Sequence, residues 1–149
     1  MSRTQQTPVT KELATLLADS YLLYVKTHNY HWNVTGPMFT TLHTLFETQY
    51  TELATAVDEI AERIRSLGPY APGSLAEFVK IAEIEEETGH PKATDMIKQL
   101  ETDQLVVAKA ARRVIKAAEE AGDDATADLA TRRTDIHEKN AWMLRSHLE

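Results

Sequence analysis

Apolar residues recur at three- and four-residue intervals through most of the chain. Leu13, Leu17, Tyr21 and Tyr24 form one such line, and Ile97, Leu100, Val107, Ala111, Val114 and Ala118 form another. This is the spacing of a helix that buries one face. Further on, Leu129, Ile136 and Met143 repeat every seven residues. Glycine and proline punctuate the pattern at Pro8, Gly36-Pro37, Gly68-Pro69, Pro72-Gly73, Gly89 with Pro91, and Gly122. Glycine closes helices and proline opens them, so the intervals predict helices near residues 9–35, 38–67, 74–83, 92–121 and 123–147. Thr7 ahead of Pro8, the Ser74 to Glu77 spacing of a capping box, and Asp123-Asp124 supply matching start signals. No alternating strand pattern competes with them.

Four of these helices are long, each roughly 40 Å at 1.5 Å per residue, and can bury their apolar lines only against one another. The expectation is an all-α four-helix bundle, with a short extra helix in the long connection between the second and third long helices. That connection, near 68–91, is too long for a hairpin and is expected to cross the bundle lengthwise. Its run from Glu83 to Glu87 reads as a solvated acidic loop. With 149 residues and 42% apolar content, one domain covers 1–149, burying roughly 70% of its extended-chain surface, with a flexible tail over 1–7.

Composition narrows the chemistry. There is no cysteine, which removes thiol catalysis and sulfur-ligated metal sites. The 23 acidic residues outnumber the 16 basic ones for a formal charge of −7, which suits handling of cations and opposes binding to phosphate backbones. No apolar run reaches the length of a membrane span, and the start lacks the apolar stretch of a signal peptide, so a cytoplasmic location is expected.

The second helix carries an unusual stripe. His43, Glu47, Asp58 and Glu62 fall at about 0°, 40°, 60° and 100° around its axis, a single face that would ordinarily be apolar. The two pairs are centred about 22 Å apart along the axis, so one ion cannot be held by both. Two copies of the helix, packed antiparallel about a twofold axis near residues 52–53, bring His43 and Glu47 opposite Asp58 and Glu62 of the partner. His31, at the end of the first helix, lies close to His43 across a short turn. Two imidazoles and three carboxylates suit iron and tolerate manganese or zinc. A His and a Glu one turn apart are more often a plain surface pair, so spacing alone leaves both readings open.

The string from His28 to Gly68 resembles the signature of the Dps family, the mini-ferritins. It carries His31-Trp32-Asn33-Val34, Gly36, Phe39, Leu42-His43, Phe46-Glu47, Tyr50, Leu53 and Asp58-Glu59-Ile60-Ala61-Glu62-Arg63-Ile64-Arg65. Weaker likeness continues through Asp123-Asp124, Asp128-Leu129 and Trp142-Met143-Leu144, covering essentially the full chain. The resemblance implies a ferritin-like bundle in which His31, His43 and Glu47 of one subunit, with Asp58 and Glu62 of its twofold partner, form a ferroxidase site. Iron would be bound as Fe(II), oxidised preferably by hydrogen peroxide, and stored as ferric mineral in a dodecameric shell that protects the cell from oxidative damage. Glu47 departs from the Asp common in the family, and its extra methylene moves the carboxylate outward. Trp32 resembles the family's site-adjacent tryptophan, which passes or quenches an electron hole or simply seals the interface. Asp123, Asp124 and Asp128 resemble the acidic residues lining the family's threefold pores. Complementing the helix dipole is the other reading, and it explains the first two better than the third.

An alternative function is a nucleoid-associated protein that binds and compacts DNA. Family members that do so use a Lys-rich tail, whereas the first ten residues here hold one basic residue, Arg3. DNA binding is therefore expected to be weak or absent. Of the remaining candidates, His28 reads as a tautomer-holding or packed histidine rather than an outer ligand. Glu87-Thr-Gly-His90 has metal-motif spacing but is broken by Gly89. His137 and His147 sit where a helix end favours a cation, and the Arg112-Arg113 and Arg132-Arg133 doublets read as solvated or ion-paired.

Overall fold

The computed structural model describes residues 5–149, so the first four residues of the expected tail lie outside it. Its helices are α1 (Pro8–Asn33), α2 (Phe39–Leu67), α3 (Leu75–Ile81), α4 (Ala93–Glu120) and α5 (Asp124–Arg145), and no strand occurs among the described residues. None of the described helices is long and apolar enough to cross a membrane.

Local chemistry sets the helix ends. Thr7 and Thr10 cap α1 reciprocally, each side-chain oxygen accepting from the other's backbone N–H at 3.2 and 2.8 Å, with Pro8 in the first turn. The end of the expected tail is thus anchored at Thr7. Gly68 and Gly122 close α2 and α4 with φ of 122° and 68°, angles that cost a residue with a Cβ.

Helices α1 and α2 pack as one antiparallel pair and α4 and α5 as another, with α1 also against α4 and α3. Leu13, Leu16, Leu17 and Leu23 of α1, Phe46, Leu53 and Ile60 of α2, and Ile97, Leu100 and Val107 of α4 are fully buried or nearly so. The heptad spacing of the α2 trio suits the shallow crossing angle of a bundle. The interior of α5 differs. Its buried face includes Arg133, Thr134 and His137, while Ile136 and Met143 of the seven-residue repeat are only half-buried. The seam between α2 and α5 is bridged by three arginines: Arg133 to Glu52, Arg132 to Glu59, and Arg63 to Asp123.

The long connection runs beside α1 in the same direction. Asp19 accepts from the backbone N–H groups of Glu83 and Ile84 at 2.6 and 3.1 Å. Lys26 donates to the Glu85 carbonyl at 3.1 Å and pairs with Asp103 at 2.8 Å, and the Tyr30 hydroxyl donates to Glu87 at 2.6 Å. The segment expected to be a solvated acidic loop is therefore laced down at three points, with Ile84 buried and Glu83 paired to Arg113. The reason lies on α1, whose Asp19, Lys26 and Tyr30 occupy inward positions and require partners.

Candidate metal centre

The short link between α1 and α2 sets His31 beside His43. Their rings stack at 3.8 Å between centroids, 13° from parallel. Each Nδ1 lies 2.7 Å from the other residue's backbone carbonyl oxygen. A carbonyl can only accept, so both Nδ1 atoms carry hydrogen and donate. In the neutral rings the lone pair then resides on Nε2, so the two rings offer two nitrogen donors whose orientation is locked by the backbone.

Aromatic side chains brace this pair. Phe39 stacks on His43 at 5.0 Å, and Tyr50 meets His31 edge-on at 5.1 Å. His28 lies between Tyr50 at 4.2 Å and Trp32 at 3.9 Å. Its burial and the neighbouring His31 both hold it below the usual histidine range. The bracing role of Phe39 and Tyr50 was not assigned from sequence. The available signal is that Tyr50 lies two helical turns beyond His43.

Glu47 follows His43 by one turn, and Asp58 and Glu62 lie further along α2, all three exposed. Among the described residues of one chain, no three His, Asp or Glu side chains converge closely enough to hold a metal ion. The candidate ligands thus lie in two separate groups, His31, His43 and Glu47 in one and Asp58 and Glu62 in the other. Between and beside them are apolar groups without cover: Trp32 is 63% exposed and Phe39 42%, and a hollow of about 330 Å³ next to Asp58 is lined by Leu17, Tyr21, Val57 and Phe78. Exposed aromatic and apolar surface beside unpaired carboxylates is the character of a face that another chain covers.

The acidic residues at the start of α5 separate by role. Asp123 accepts from the Thr126 backbone N–H at 3.1 Å and hydroxyl at 2.6 Å, and pairs with Arg63 at 3.0 Å. Burial alone would raise its carboxyl, but the Thr126 hydrogen bonds and the Arg63 guanidinium outweigh that and hold it below the usual range. Replacing Asp123 by Ala is expected to cost about 1–2 kcal/mol, the loss of a cap plus an ion pair, measured as a lower unfolding midpoint. Asp124 and Asp128 are exposed, and Asp128 meets Arg132 at 3.2 Å. Elsewhere, Glu87 accepts from Tyr30, Gln99 and the Gly89 backbone N–H, which accounts for its acidity without a metal. His137 is fully buried with both ring nitrogens engaged, which overturns its reading as a helix-end cation.

Comparison with known proteins follows the same lines. The chain matches the family model of the ferritin-like domain over residues 10–149. It is 40% identical over 133 residues to the DNA protection during starvation protein of Brevibacillus brevis, covering 89% of each chain. Its structure is similar to that of Dps from Staphylococcus aureus, with a TM-score of 0.93 at 35% identity over 98% of both chains. It is also similar to Dps from Vibrio cholerae O1, described as a member of a broad superfamily of ferritin-like diiron-carboxylate proteins. There the TM-score is 0.90 at 33% identity, over 95% of this chain and 89% of that one.

Proposed function

The chain belongs to the ferritin-like family, among the Dps proteins, and from that premise we propose that it is a ferroxidase and iron store. In this reading it takes Fe(II) as substrate, oxidises it preferably with hydrogen peroxide, and keeps the ferric product as mineral inside a dodecameric shell in the cytoplasm. His31, His43 and Glu47 of one subunit and Asp58 and Glu62 of its twofold partner are the ligands. The observation that carries the reading is the reciprocal carbonyl lock on His31 and His43, which leaves two Nε2 atoms as free donors. The lack of any complete ligand set within one chain, among the described residues, fits a site shared across an interface.

The chemistry follows from the donors. Carboxylates are hard ligands that favour Fe(III) over Fe(II). Two ferrous ions give one electron each to one peroxide, which takes up two protons and leaves as two waters, so no hydroxyl radical is released. Trp32, which follows His31 in the chain and lies against His28, would absorb a stray oxidising equivalent. Asp124 and Asp128, still exposed, are the acids that would line a cation entry.

Weak or absent DNA binding belongs to the same proposal. Every arginine among the described residues is already committed. Arg65 donates to the Pro69 carbonyl, and the other six pair with carboxylates. Freeing them for phosphate contacts would break these pairs on a chain already carrying a charge of −7.

The test is stopped-flow oxidation of protein loaded anaerobically with Fe(II), mixed with peroxide or with oxygen. The wild type is expected to react faster with peroxide, and the doubly substituted His43→Ala, Asp58→Ala protein to lose the fast phase. An unchanged rate in that variant removes the site.

A further inference from the structure

Several titratable groups of the bundle interior, Asp19, Lys26, Asp103 and His137 among them, have no part in the metal chemistry. His137 is fully buried on α5. Its Nδ1 lies 2.6 Å from the Gln104 Oε1 on α4, and its Nε2 lies 3.0 Å from an Arg133 guanidinium nitrogen. Arginine can only donate, so Nε2 accepts and Nδ1–H donates to Gln104. Arg133, itself buried, grips Glu52 of α2 through both carboxylate oxygens, one of them at 3.0 Å. A single chain of hydrogen bonds therefore ties α4 to α5 and α5 to α2.

We propose that His137 is the release element of an acid-sensitive latch between α5 and α2. While the imidazole is neutral, its Nε2 holds Arg133 where that side chain can grip Glu52. A proton on Nε2 turns the acceptor into a donor facing another donor and sets two cations in contact. Arg133 is then driven out, and Glu52 loses its partner. The groups around the ring offer no compensation. Gln104 from α4 is neutral, and Glu52 from α2 reaches the ring only through Arg133. Burial first, and then the Arg133 charge, hold His137 well below the ordinary histidine range, and no other ionised group has a resolved influence on it. The latch is thus shut near neutral pH and opens only in acid. It acts on the face of α2 turned away from the candidate ligands. Its failure and the failure of the ferroxidase reading are therefore separate results.

The test uses the full-length assembled protein at fixed protomer concentration. Urea unfolding is followed from pH 8 to pH 4.5 for the wild type and for His137→Gln. An unfolded histidine takes up a proton below about pH 6.5, whereas the folded one resists it. The wild-type unfolding equilibrium constant should therefore rise relative to the variant by up to about tenfold per pH unit below that point. Parallel profiles overturn the proposal. Should the variant not fold, deuterium exchange at the imidazole C2–H, read by mass spectrometry on the wild-type Thr134–Lys139 peptide, decides instead. The absence of any inflection near pH 6.5 supports the latch, and an inflection there refutes it. Amide exchange on the same samples completes the test. Below the His137 transition, amides around Glu52 and Arg133 must open ahead of those in α1, and charging of His137 without that acceleration also refutes it.

Discussion

Two variants that are each inactive, His43→Ala and Asp58→Ala, are expected to regain about a quarter of the wild-type peroxide-driven oxidation rate when unfolded together and refolded as an equimolar mixture. The reasoning is geometric. If each site takes His43 from one subunit and Asp58 from the other, a mixed dimer holds one site with both residues intact and one lacking both. Random pairing makes about half the dimers mixed, and half of their sites are whole. Each variant alone has every site damaged and should be slowed by about a hundredfold or more, as for removal of a ligand from a metal centre. Rate per protomer against mixing ratio should follow a parabola peaking at equal amounts. A straight line at the variants' own low level would mean that the two residues never meet in one site. High activity in either variant before mixing would remove that residue from the ligand set.

The second large effect concerns stability and has an unusual sign. Asp19 is fully buried and holds the backbone of the long connection through the N–H groups of Glu83 and Ile84. Burial raises its carboxyl from 3.8 to about 6, against the pull of those two N–H groups, so the charged form is a liability to the fold above that pH. A raised carboxyl stabilises as protons bind. Its contribution is worst at pH 7 and above, improves as pH falls through 6, and levels off below the unfolded value near 4. Asp19→Asn keeps an acceptor oxygen and removes the charge. It should therefore be more stable than the wild type at pH 8 by up to roughly 3 kcal/mol, the gain shrinking to nothing at pH 4. Asp19→Ala removes the acceptor, leaves the buried Ile84 N–H and the half-buried Glu83 N–H unmatched, and should lose about 2–4 kcal/mol. Urea unfolding at the two pH values separates these cases. If Asn costs as much as Ala at pH 8, then the negative charge, rather than the acceptor, is what secures the connection.

Much of the candidate site was legible because it is written on one helix. His43, Glu47, Asp58 and Glu62 share a face by spacing alone, and their separation along the axis already shows that one ion cannot be held by both pairs. The short turn after Asn33 brings His31 within reach by the same arithmetic. The acids of α5 show the limit. Asp123, Asp124 and Asp128 read alike in sequence, yet Asp123 is taken by Thr126 and Arg63 while Asp124 and Asp128 stay exposed. Nothing near Asp123 in the chain announces Arg63, which arrives from α2. Glu83, Glu85 and Glu86 are exposed as expected of an acidic loop, but the anchoring of the stretch was hidden for the same reason, since its partners on α1 lie more than fifty residues away in sequence.

The sequence by itself determined the five helices, their ends and the stripe of metal-competent side chains. Each depends on neighbours within a turn or two: a cap, a glycine able to take positive φ, or a periodicity of 3.6 residues. Only the tertiary structure decided which nitrogen of His31 and of His43 is free, that His137 sits neutral against Arg133, and that the acidic connection is tied to α1. These depend on which donor faces which acceptor across separate helices. Such pairings are set by packing between distant segments, and local periodicity carries no record of them.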